Sequence, residues 1–174
     1  MKRTLVIATL IIIVALGGVN LNAQSLKFGH INSDELIQAL PEFDSANVSL
    51  ETFRKDLINA LELMTVELNN KSDAYNKESK NLSELVRQNK EQELVDMNRR
   101  IQEFQTNAQQ QLQEKQASLF QPIMAKVDKA IKDVGKENGF IYILTVGQGS
   151  SLVYYDETKS TNIMVLAKAK LGIK

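Results

Sequence analysis

The middle of the chain carries two runs of apolar residues that recur in steps of three and four positions. At about 100° per residue, each run falls on one narrow face of a helix, and such a stripe is typical of a coiled-coil seam. Between these positions the sequence is rich in Gln, Glu, Lys and Asn. The first run is Leu50, Phe53, Leu57, Leu61, Met64 and Leu68, followed more sparsely by Tyr75, Leu82 and Val86. The second run is Leu94, Met97, Ile101, Phe104, Ala108 and Leu112.

The two runs are separated by a polar segment. Residues 69–81 are polar apart from Ala74 and Tyr75. One continuous helix over residues 45–138 would reach about 140 Å. Two helices joined near residues 76–83 would instead bury both stripes against each other within one chain. The pattern therefore favours a helical hairpin, with one continuous helix as the alternative.

Pro122 interrupts the second helical run. A proline removes the backbone hydrogen bond to the residue four positions earlier, here Ser118, and kinks a helix at a cost of about 3 kcal/mol. We predict that Pro122 is a hinge where the helix changes partners from arm to body. The apolar stripe shifts around the helix after this point, to Met124, Val127, Ile131 and Val134.

The sequence before the helical region has strand patterning. Apolar and other residues alternate over residues 26–31, which predicts a strand. Asn32 or Ser33 can cap a short helix after it. Pro41 is expected to end that helix or to force a bend.

Strand patterning returns after the helical region. Residues 140–146 are strongly β-prone, and we predict that they pair with a second strand at residues 151–155 through the turn at residues 147–150. A last helix is expected between a cap at Ser160 or Thr161 and Gly172.

Together these elements predict an α+β fold in the order β-α-α-β-β-α. Residues 24–44 and 139–174 would form one β body, and residues 45–138 would form a coiled-coil hairpin arm with its tip near residues 76–83. Three short strands and a small helix make a poor core alone, so we expect the body to oligomerise through its sheets. The predicted body and oligomer core consists of Phe28, Ile31, Phe140, Ile141, Ile143, Val153 and Tyr155.

The first 23 residues have the pattern of a secretory signal peptide. Lys2 and Arg3 precede a nearly unbroken apolar stretch at residues 5–19, and Ala23 provides a small residue for cleavage. An apolar helix of this length would span only about 22 Å, less than the ~30 Å core of a membrane. We therefore predict export with a cut after Ala23 and no stable membrane insertion afterwards.

The composition offers few residues for catalysis or metal binding. The chain has no Cys and only one His, His30, so zinc sites and Cys or Ser dyads that need such residues are excluded. Lys plus Arg and Asp plus Glu both total 21, which offers no basic surface for nucleic acid. Residues 147–150 resemble a phosphate loop but join two predicted strands. We predict no catalytic residues, no metal and no cofactor.

Short motifs at both ends resemble the Skp/OmpH family over essentially the whole chain after the signal peptide. The N-terminal motifs are Lys27-Phe28-Gly29-His30-Ile31-Asn32 and Leu40-Pro41-Glu42. The C-terminal motifs are Lys136-Glu137-Asn138-Gly139-Phe140, Val153-Tyr154-Tyr155-Asp156 and Leu171-Gly172-Ile173.

The resemblance implies a homotrimer whose strands form a central body, with three helical hairpins around a cavity. It also implies ATP-independent holding of unfolded outer-membrane proteins in the periplasm. The best-known members have strongly basic arms, whereas residues 45–138 hold 14 Lys plus Arg against 15 Asp plus Glu. Electrostatic capture and lipopolysaccharide binding are therefore not carried over to this chain.

Three apolar residues of the arm lie away from the predicted stripes. Leu63, Val66 and Val95 are candidate contacts for unfolded client proteins, although scattered exposed apolar residues are also ordinary. Two other functions fit the same pattern. The chain could be a membrane-anchored structural stalk that keeps residues 5–19 inserted, or an envelope coiled-coil adaptor with one folded partner.

Overall fold

The computed structural model describes residues 26–173, so the predicted signal peptide lies outside the described residues. The structure is mainly helical, with a small sheet at one end, which confirms the predicted α+β class. The strands are β1 (Phe28–Ile31), β2 (Tyr142–Thr145) and β3 (Ser160–Asn162). The helices are α1 (Ser33–Gln38), α2 (Pro41–Glu78), α3 (Glu84–Glu137) and α4 (Met164–Leu171), with a 3₁₀ turn at Ser79–Asn81.

The short helix α1 and the start of α2 follow the local sequence signals. The Asn32 side chain caps α1 by accepting a hydrogen bond from the Glu35 N–H, with 3.2 Å between Oδ1 and N. Pro41 is the first residue of α2, where its missing N–H costs nothing because that group has no partner within a helix. Proline therefore separates α1 from α2, as expected.

Helices α2 and α3 pack against each other as a hairpin, which confirms that prediction over one continuous helix. The chain reverses between Glu78 and Glu84, through the 3₁₀ turn and Leu82. Most of the seam positions are only half-buried, because each helix has a single neighbour within the chain. Met97 is the buried exception in the outer half of the arm. Helix α3 continues through Pro122, which is exposed.

The sheet differs from the predicted hairpin. Its order is β2-β1-β3, and both outer strands run parallel to β1. Residues 151–155, which we expected to form the second strand, are not in a strand. Parallel neighbours cannot be joined by a tight turn, so residues 146–159 form a longer connection that returns the chain to the start of β3.

The last strand also replaces the predicted helix cap. Ser160 and Thr161 lie in β3 rather than at the start of a helix. The Ile163 N–H donates to the His30 carbonyl at 3.0 Å, and the Ile163 side chain is completely buried. Asn162 instead accepts a hydrogen bond from the Met164 N–H at 2.9 Å, and α4 begins there. Helix α4 ends at Gly172 in the left-handed conformation, as predicted.

The core lies where the arm meets the body. The inner third of α3 crosses the sheet and packs against α1 and α4. Because this part of α3 has neighbours on several sides, it contains the most completely buried positions of the helix. The buried core residues are Ile31, Leu36, Leu40, Ala46, Ile123, Val127, Val134, Ile163 and Ala167.

Candidate functional site

The arm surface carries exposed apolar side chains on both of its helices. Leu63, Val66 and Val95 are 71%, 49% and 60% exposed, so the structure places all three candidates away from the seam. Their contact with a client remains a prediction. Val48, Ile58 and Leu85 of the arm also lie outside the stripes and are exposed, although the sequence did not single them out. Met124, which we predicted to lie on the apolar face towards the body, is 57% exposed instead.

An open groove flanks the seam between the two arm helices. A hollow of about 470 Å³ lies beside Leu57 and Leu61 of α2 and Phe104, Ala108 and Leu112 of α3. Ala108 contributes to this space because its methyl group is too small to fill a seam position. The arm therefore offers apolar surface in its seam as well as on its outer faces.

An apolar groove runs along the base of the arm. Phe43 and Phe120 pack edge to face across the two helices, with ring centroids 5.6 Å apart. Ile37, Met124 and Ile131 continue the groove towards the body. The sequence did not reveal this groove, since its residues come from three helices that only the fold brings together.

One face of the sheet carries apolar side chains that the core does not cover. Gly29 and Ile31 of β1 face the core, so Phe28 and His30 face the opposite side. Phe28 stacks against Tyr142 of β2, with ring planes 2° apart and centroids 6.2 Å apart. Tyr142 and Leu144 of β2 are both exposed, and the outer edge of β2 is unpaired within residues 26–173.

Apart from Phe28, which stacks on Tyr142, the predicted body residues divide into three groups. Ile31 is buried, and Phe140 and Ile143 pack half-buried against the core. Tyr155 contacts the His30 ring at a centroid distance of 4.6 Å. Ile141 and Val153 are exposed, and Val153 is fully so, which places both outside the core of the single chain. Their part in an oligomer remains a prediction.

His30 has a structural environment. It is buried in β1, its Nδ1 lies 2.9 Å from the Ser160 hydroxyl, and the Tyr155 ring covers it. These contacts join β1 to β3 and to the loop before β3. Among residues 26–173, no group of three or more His, Asp or Glu side chains could hold a metal ion.

The charges of the arm and body are arranged in exposed pairs. The hydrogen bond from Lys126 of α3 to Glu42 of α2, 2.5 Å long, lowers the pKa of the Glu42 carboxyl. Lys129 similarly lowers the pKa of Asp133 on the same helix, at 2.7 Å. Such exposed pairs contribute little to stability.

Comparison with known proteins agrees with this architecture. A family model described as outer membrane protein (OmpH-like) matches residues 27–171, from just before β1 to the end of α4. The chain belongs to the OmpH-like family. This is the Skp/OmpH family of periplasmic chaperones, so the resemblance seen in the sequence motifs is confirmed. A search of characterised proteins found no match.

Members of the OmpH-like family are chaperones of outer-membrane proteins rather than enzymes. The family binds unfolded outer-membrane proteins in general. Within residues 26–173, no helix has the length and apolar character needed to cross a membrane.

Proposed function

We propose that the chain is an ATP-independent periplasmic holdase that binds unfolded outer-membrane proteins and prevents their aggregation. The observation that carries the proposal is the spread of exposed apolar side chains over both helices of the arm, at Leu63, Val66 and Val95 among others. Many weak apolar contacts suit a client without fixed structure, because no single geometry has to be matched. The balanced charge of the arm leaves shape and apolar contact as the sources of binding.

A homotrimer is the assembly that we propose for this function. The exposed side chains of Tyr142 and Leu144 and the half-buried Phe28, together with the unpaired edge of β2, support association through the body. Three arms around one cavity would keep bound client strands apart from those of other clients, which suppresses the edge pairing that leads to aggregation.

The trimer is tested by light scattering coupled to size-exclusion chromatography. The Tyr142→Lys variant should shift the mass towards the monomer because it places a charge on the exposed sheet face. Gln148→Lys, which places the same charge at the exposed turn after β2, should leave the mass unchanged. A wild-type mass equal to one chain would refute the trimer.

Holding activity is tested by diluting an unfolded outer-membrane barrel from urea into buffer without ATP and recording light scattering. Residues 24–174 should suppress the scattering, and Leu63→Gln, Val66→Gln and Val95→Gln combined should require several-fold more protein for the same effect. A control with Glu62→Gln and Asn69→Gln changes exposed polar positions of the same arm and should act like the wild type. Undiminished aggregation at several-fold molar excess of the wild type would contradict the proposed holding activity.

Two other functions remain to be separated from holding. An envelope adaptor would bind one folded partner at fixed stoichiometry and would not protect unrelated unfolded proteins. A membrane-anchored stalk would retain its first residues. Mass spectrometry of the mature protein should find Gln24 at the N-terminus, whereas an intact Met1 would favour the stalk.

A further inference from the structure

The outer part of the arm is held together differently from the inner part. Beyond Leu68, the seam positions of α2 are Lys71 and Tyr75, both half-buried. The Lys71 ammonium group forms an ion pair with Glu93 across the hairpin and another with Glu67 on its own helix, at 3.4 Å. The Tyr75 hydroxyl donates a hydrogen bond to the Glu91 carboxylate of α3. Polar contacts therefore take the place of apolar ones in this segment.

The space beside these contacts is open rather than packed. A cavity of about 370 Å³ opens between Met64 and Met97 on one side and Glu67, Lys71, Glu93, Asp96 and Arg100 around its rim. The side chains of Lys71 and Glu93 stay 41% and 50% exposed despite their ion pair. Water can therefore solvate both charges when the helices separate, so opening this part of the arm loses little free energy.

The inner arm cannot open with a similarly small loss of free energy. Phe43 and Phe120 are in ring contact at the base, and Ile123, Val127 and Val134 are buried beyond them. Separating the helices there would expose apolar surface to water, which is unfavourable in proportion to the area exposed. Opening the hairpin therefore costs more free energy at its inner end than at its outer end.

We propose that Lys71–Glu93 and Tyr75–Glu91 form a polar clasp, and that residues 69–93 open and close as a unit while the inner seam stays closed. Acid or high salt releases the clasp, because both weaken the charged contacts. The inference concerns the hairpin of a single chain and goes beyond the proposed function: it stands whether or not the arm holds clients.

The pKa directions agree with the geometry. The hydrogen bond from Lys71 lowers the pKa of Glu93, and Lys90 and Arg100 on α3 act in the same direction. The pKa of Lys71 is raised, mainly by Glu93 and further by Glu67. Glu93 therefore stabilises the closed arm above the pKa it has when the arm is open, and this contribution is lost as the pH falls through its lowered closed-state value.

The Tyr75–Glu91 hydrogen bond makes closure of the arm depend on pH in the alkaline range as well. The hydrogen bond to Glu91 raises the pKa of Tyr75, and Glu84 adds to this effect while Arg87 opposes it. The phenol therefore remains a donor through the neutral range. Its contribution, like that of Lys71, is lost only as the pH rises through the raised pKa.

Distances between spin labels test the proposal, and the chain has no cysteine that would compete for labelling. One pair of labels at Asp73→Cys and Gln92→Cys, beside the clasp rather than at the turn, reports on the outer arm. A second pair at Lys55→Cys and Gln111→Cys reports on the inner arm. All four positions are exposed, so labelling should not disturb the seam. Circular dichroism checks that each labelled protein is helical.

We expect a broad distribution of distances between the outer labels, which broadens further in acid or in high salt. The distribution between the inner labels should be narrow and should not change with pH or salt. Lys71→Met extends the apolar seam and should narrow the outer distribution, whereas Glu93→Gln should broaden it. Lys77→Met is the control, since it makes the same change at an exposed position outside the seam. An outer distribution as narrow as the inner one, or one unaffected by Lys71→Met, would overturn the proposal.

Discussion

At the scale of single residues, Gly29 shows how tightly the body is packed. A methyl group at this position would lie 3.2 Å from side-chain atoms of Phe140, Ile143 and Ile163 at once. All three lie within residues 140–163, which meet β1 only in the folded body. Glycine thus allows the backbone of the central strand to approach the core closely.

Gly29→Ala should therefore destabilise the protein. Overpacking a core costs about 1–3 kcal/mol, and the lower entropy of the unfolded alanine chain offsets about 0.4–1 kcal/mol of this. We expect a net loss of roughly 1 kcal/mol in the free energy of unfolding, measured by urea denaturation at fixed protein concentration, and a larger loss for Gly29→Val.

Gly135→Ala is the matched control. A methyl group there would meet only the tip of the Ile143 side chain, at 3.1 Å, and Gly135 lies inside α3. Alanine is favoured over glycine in a helix by about 0.5–1 kcal/mol, so this variant should be neutral or more stable. Equal effects of the two substitutions would contradict the packing argument.

At the scale of elements, α3 combines two tasks in one helix. Its outer part is one side of the arm, and its inner part, around Val127 and Val134, is the centre of the core. Pro122 lies between these parts on the exposed face, and the helix continues through it. The hinge that we predict at Pro122 would let the arm move while the inner part remains fixed.

Pro122→Ala should stiffen the arm, because alanine restores the N–H that can bond to the Ser118 carbonyl and removes the ring that strains the helix. Helix propensity sets an upper limit of about 3 kcal/mol on the gain in stability. Small-angle X-ray scattering should show a narrower range of arm positions. The capacity of the protein for large clients should change as well. An unchanged range of arm positions would count against the hinge.

At the scale of the whole molecule, the exposed ion pairs give stability a defined dependence on pH. Hydrogen bonds lower the pKa values of several carboxyls below their ordinary range, so the unfolded chain binds more protons than the folded one in acid. Stability should therefore decrease as the pH falls through these lowered pKa values. The carboxyls concerned are Glu42, Glu84, Glu93, Asp133 and Asp156.

Stability should also decrease in strong alkali, since Glu137 raises the pKa of Lys170 and Glu93 raises that of Lys71. Thermal unfolding followed by circular dichroism should give its highest midpoint between these limits. Added salt should reduce the acid effect because the pairs are exposed. A midpoint that rises on acidification would show that the folded chain, not the unfolded one, gains the protons.

Local patterning in the sequence was sufficient for the helices and for much of the candidate site. The three-and-four spacing of Leu50 to Leu68 identifies the arm, and the polar segment after it identifies the reversal. The same helical wheel places Leu63, Val66 and Val95 on the surface, where the structure has them. A helix is predictable in this way because its hydrogen bonds and its faces are set by neighbours within four positions along the chain.

The sheet and the groove at the arm base were decided only by tertiary structure. Residues 151–155 have strand composition and Ser160 resembles a helix cap, yet Ser160 lies in the strand beside Phe28. Strand partners are chosen by free N–H and C=O groups more than a hundred positions away, and β1 offers such groups on both edges. The apolar groove at the base of the arm likewise joins surfaces of separate helices. The sequence by itself therefore determined which segments are helical and which faces are apolar, while long-range pairing and packing decided how those segments meet.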